Sequence, residues 1–130
     1  MIFNCIILCY NFYKRAQEGE IVNELEKNIC QLQDMIVVMT QLFLSGKMDE
    51  SVKQYPIFTK AIEVVLVDMM QEYQSRGVEE YIPQIEYWKN QLPRIMEAIE
   101  SEDYFRVIDA LYFETRENLE NLYKMLSEKG

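Results

Sequence analysis

From Val22 onward, apolar residues return at alternating steps of three and four, and this spacing constrains the chain more than any other feature. Val22, Leu25, Ile29, Leu32, Ile36, Met39 and Phe43 form the first such series. Steps of three and four line up one face of an α-helix, whereas a half-buried strand would alternate every second residue. Gly46 is placed to end this helix, with Lys47 where a cation suits the negative end of the helix dipole.

Three more series follow. Phe58, Ile62, Val65, Met69 and Tyr73 mark a second helix that Asp49 and Ser51 are placed to cap and that Arg76-Gly77 closes. Pro56 near its start predicts one of two things: a short first turn with a restart, or one helix kinked there. Val78, Tyr81, Ile85, Trp88, Leu92, Ile95 and Ile99 mark the third helix, with Pro83 in its first turn and Pro93 bending it. Asp103 caps a fourth, whose stripe reads Phe105, Ile108, Tyr112, Leu119, Leu122 and Leu126, with Thr115 as its weak layer and residues 127–130 as a frayed tail. Links this short between long helices put neighbours antiparallel, so the expected fold is an all-α, up-and-down four-helix bundle formed by residues 22–130.

Residues 1–21 stand apart. Their apolar run, 2–13, is too short to span a bilayer and is followed rather than preceded by Lys14 and Arg15, which fits neither a membrane helix nor a signal peptide. Two readings remain. Gln17-Glu18-Gly19-Glu20-Ile21-Val22 can be encoded as CAG-GAA-GGA-GAA-ATA-GTG, a purine-rich ribosome-binding sequence before a GTG start, which makes 1–21 a translated leader. The other reading is a short extra N-terminal helix on the bundle.

Charge and chemistry narrow the function. The 130 residues carry a net charge of −9, which disfavours contact with nucleic-acid phosphates or anionic lipid, so neither nucleic acid nor membrane is an expected partner. The sequence has no histidine, which removes the commonest general base and metal ligand. Cys5, Cys9 and Cys30 have no zinc-type spacing, and a reduced, cytoplasmic chain is the simplest reading. The pairs Glu97 with Glu100 and Glu117 with Glu120 lie off the apolar stripe and are expected to be solvated. Glu114 lies close to the stripe and is expected to pair with a neighbouring cation. With four dispersed glycines there is no phosphate loop. No catalytic residue, cofactor or metal is expected.

The remaining signal is aromatic surface. Adjacent pairs such as Tyr104-Phe105 and Tyr112-Phe113 cannot both point inward from one helix, so one member of each lies at the stripe edge. Tyr104, Tyr112, Phe113 and Tyr123 are therefore the candidate partner-binding residues, for a protein partner or a second copy of the chain. An acidic inhibitor that mimics nucleic-acid charge is the alternative, although the carboxylates are scattered through all four segments.

The stretch Glu100-Ser-Glu-Asp-Tyr-Phe-Arg-Val-Ile-Asp-Ala-Leu-Tyr-Phe-Glu-Thr-Arg-Glu-Asn-Leu resembles the closing helical hairpin of small acidic bacterial bundles. It is similar to short helical flagellar export chaperones and to helical proteins encoded near motility genes. The resemblance covers roughly a third of the chain. It implies cytoplasmic binding of a partner's helical tail without catalysis, and it transfers no binding residue.

Overall fold

The computed structural model describes residues 13, 14, 16–19 and 24–129, with side chains through residue 126. Among them every regular element is helical. The helices are α1 (Glu24–Leu44), α2 (Met48–Arg76), α3 (Tyr81–Glu100) and α4 (104–129). Helix α4 has three parts: an α-helical turn at Tyr104–Ile108, a π-helical stretch at Asp109–Thr115, and an α-helix at Arg116–Lys129. Most of residues 1–21, on which the leader and extra-helix readings fall, lies outside the described residues; Tyr13 is described, and its hydroxyl hydrogen-bonds to Asp34 at 2.8 Å.

The helix ends follow from local chemistry. Gly46 takes φ +78°, and the Lys47 amide reaches back to the Leu42 carbonyl at 2.8 Å, so α1 closes on a left-handed residue. Gly77, at φ +67°, closes α2 by donating to the Tyr73 carbonyl. The third link uses no glycine: Glu102 sits at φ +57° while the Asp103 amide bonds to the Ala98 carbonyl at 2.9 Å. Asp103 then caps α4 by accepting the Arg106 amide, as the sequence predicts.

Other expectations need correction. Neither Asp49 nor Ser51 caps α2, which starts one residue after Lys47 with no side-chain cap. Ser51 is buried instead and donates to the Met39 carbonyl at 2.8 Å. Helix α2 runs unbroken through Pro56, so there is no restart, and α4 stays helical to Lys129 rather than fraying from residue 127. Val78 lies before α3 and is half-buried, and Tyr73 is exposed near the end of α2, where the stripe has rotated out of the core.

Cross-helix bonds fix which helices adjoin. Asn28 bonds Asp68, Tyr55 donates to the Leu92 carbonyl, Asn118 bonds Gln84, and the Phe43 and Tyr104 rings lie 5.7 Å apart. Between α1 and α2, and between α3 and α4, rising residue numbers on one helix meet falling numbers on the other. Each of α1 and α3 thus touches both α2 and α4 around one core, whose largest fully buried side chain is Trp88. No helix among the described residues is long and apolar enough to cross a membrane.

Candidate partner-binding site

The π stretch decides which aromatic rings of α4 reach the surface. Its last bond runs from the Arg116 amide to the Leu111 carbonyl, five residues back rather than four. The Tyr112 carbonyl, which that amide would bond in an α-helix, accepts the Arg116 guanidinium Nε at 3.0 Å. Two buried glutamines bond carbonyls on either side: Gln91 from α3 donates to Ala110 at 3.3 Å, and Gln33 from α1 donates to Arg116 at 3.2 Å.

The wider turn rotates the first half of α4. Val107, Ala110 and Leu111 are buried there, in place of the expected Phe105, Ile108 and Tyr112. Ile108 and Tyr112 become half-buried edge residues, and Phe105 turns outward to 85% exposure, the largest of any exposed large apolar side chain. The stripe in the second half of the helix, Leu119, Leu122 and Leu126, lies in the core as expected.

The four candidate residues therefore separate. Phe113 is 56% exposed and stands edge-on to the half-buried Tyr112, ring centroids 5.1 Å apart. The Arg116 guanidinium lies over the other ring of this pair, 5.0 Å from the Tyr112 centroid. Tyr104 is half-buried against Phe43 and lines an open hollow of about 380 Å³ with Asp49, Val52, Lys53, Ile99, Glu100 and Glu102. Tyr123 is only 4% exposed and belongs to the core, so it presents no ring to a partner. Phe105, read as a core residue from its spacing, is the ring best placed for contact. Phe105 and Phe113 lie eight residues apart, about 12 Å along a helix axis, with exposed Asp109 between them.

Beside this face, Glu114 accepts Gln91 Nε2 at 2.9 Å and pairs with Arg94 at 3.7 Å, so its cation comes from α3. Glu97, Glu100 and Glu117 are exposed as expected, but Glu120 is buried. It lies 4.0 Å from buried Arg116 and 3.4 Å from Lys124, and both Arg116 and Glu120 are buried directly beside Thr115 and Leu119 of the inward stripe. Burial raises the Tyr87 phenol above its usual 10.0, and the nearby Thr115 hydroxyl acts in the opposite direction. Cys30 is buried and free, and no cluster of metal-ligating side chains occurs among the described residues. The face thus offers apolar rings rimmed by an ion pair, which suits packing against another apolar surface. In comparisons with protein-family models, curated proteins and solved structures, nothing matches this chain.

Proposed function

We propose that this chain is a non-enzymatic protein-binding bundle, adaptor- or chaperone-like, which docks an apolar helical segment of a partner, or a second copy of itself, on the outer face of α4. The observation that carries the reading is Phe105 at 85% exposure with Phe113 at 56% on the same helix. Two large rings held in water on a rigid rod are poorly explained by folding, which would bury them, and aromatic anchors dominate the energetics of many interfaces. The half-buried Tyr112 and Tyr104 flank the rings. The resemblance of the 100–119 region to motility-associated chaperones supports a cytoplasmic partner with a helical tail.

The test is the double variant Phe105→Glu with Phe113→Glu. Both positions are exposed, so the melting temperature should hold, while an interface anchored there should weaken at least thirtyfold, equivalent to about 2 kcal/mol. Light scattering over a concentration range reads self-association, and capture from cell extract at high salt reads a partner, since apolar docking survives salt that releases a charge mimic. If the parent forms a salt-resistant complex and the double variant retains it, α4 is not the docking face.

A further inference from the structure

We infer that the first half of α4 packs in either of two registers one residue apart, with the π stretch as the point of exchange. The sequence sets three adjacent large apolar pairs there: Tyr104-Phe105, Val107-Ile108 and Leu111-Tyr112. The first members of these pairs face the core in the structure, with Val107 and Leu111 fully buried. The second members continue through Thr115, Leu119, Leu122 and Leu126 in unbroken steps of three and four, which is the inward face of an uninterrupted α-helix.

Val107, Leu111, Thr115 and Leu119 lie inward in steps of four, with Ala110 also buried beside Leu111. In an α-helix three such steps would walk about 120° around the rod. The extra residue held by the Arg116-to-Leu111 bond absorbs that drift. Passing to the α register returns the Arg116 amide to the Tyr112 carbonyl, releases Arg116 Nε, and swings Phe105, Ile108 and Tyr112 inward. Gln91 favours the π register, because it bonds the Ala110 carbonyl in its present position. Two packings of one sequence that each bury an apolar face form a bistable element.

The exchange would withdraw Phe105 from the surface, so it regulates the proposed docking face. That consequence rests on the docking reading, whereas the registers themselves do not. The experiment uses the full chain labelled with 4-fluorophenylalanine, with the Phe105 signal assigned through Phe105→Leu and its exposure read by fluorine relaxation from a soluble gadolinium chelate. Phe113 faces water in both registers and serves as the exposed reference. Val107→Asp puts a charge where only the α register exposes it, and Gln91→Leu removes one clamp without adding charge. The expected result is a cooperative melt for Val107→Asp with the Phe105 relaxation effect reduced several-fold, and a second, protected Phe105 signal in Gln91→Leu. If Val107→Asp fails to fold, Gln91→Leu decides. Phe105 as accessible as in the parent in every variant that folds would overturn the inference. Because partner capture is measured separately, loss of the docking reading would leave a positive register result standing.

Discussion

Thr115 is the residue at which sequence and structure meet most informatively. Its spacing marks it as a polar gap in an apolar stripe, and the structure buries it completely, with its hydroxyl near the Tyr87 phenol but no protein group in full hydrogen-bonding geometry. An unsatisfied buried hydroxyl is a standing cost, so Thr115→Val should leave the melting temperature unchanged or raise stability by up to about 1 kcal/mol. A substantial loss on thermal melting would show that the hydroxyl is satisfied in solution. Trp88 and the Leu119–Leu126 stripe were legible from spacing alone, because burial there follows ordinary α-helical phase. Phe105 was not, since its rotation depends on the displaced backbone bond between Arg116 and Leu111, further along the helix. Gln33 and Gln91 left no signal either: a glutamine on an apolar stripe reads as an edge residue until the carbonyl it bonds is known.

For the helices as elements, the number and approximate extent were readable, and the errors fell at caps and at the π stretch. Asp49 and Ser51 have the right chemistry for a cap, but the chain turns earlier and Ser51 is drawn into the α1 contact. The link from α3 to α4 repays a closer look. Its left-handed position is filled by Glu102 at φ +57°, where the other links use glycine. The left-handed conformation costs a side-chain-bearing residue about 1–2 kcal/mol, and glycine gives back about 0.5–1 kcal/mol in chain entropy. Glu102→Gly should therefore stabilise the fold by roughly 0.5–1 kcal/mol on these terms. Chemical denaturation would check this, and a destabilised variant would mean that the Glu102 side chain contributes more than its backbone strain costs.

Across the whole molecule, stability should respond to alkaline pH through its buried phenols. Tyr55, Tyr81 and Tyr87 are each raised above 10.0, in every case first by burial. Glu72 adds to the rise at Tyr81, while Thr59 and Thr115 oppose it at Tyr55 and Tyr87. A group with a raised folded pKa holds its proton longer in the native state. The stabilisation these phenols give is thus complete below about pH 10 and lost as pH rises through their folded values. Melting followed against pH should show a decline beginning near 10, together with late, cooperative ionisation of part of the tyrosine absorbance. Phenol titration that is complete before any loss of structure would contradict this. The all-α bundle of four helices behind this behaviour was readable from four amphipathic stripes. The buried polar layer of Gln33, Gln91, Thr115 and Arg116 was not, because it is assembled from residues on three helices.

That layer also equips the molecule with an optical gauge. The sequence contains one tryptophan, Trp88, and the structure seals it in the core with Tyr87 edge-on at 5.6 Å. Its indole N–H makes no hydrogen bond, and it sits on α3 next to the Tyr87 phenol that faces Thr115 in the π stretch. Emission from an indole in such dry surroundings lies to the blue and shifts to the red when water enters. The intrinsic fluorescence of the unlabelled protein therefore reports on the seam between α3 and α4.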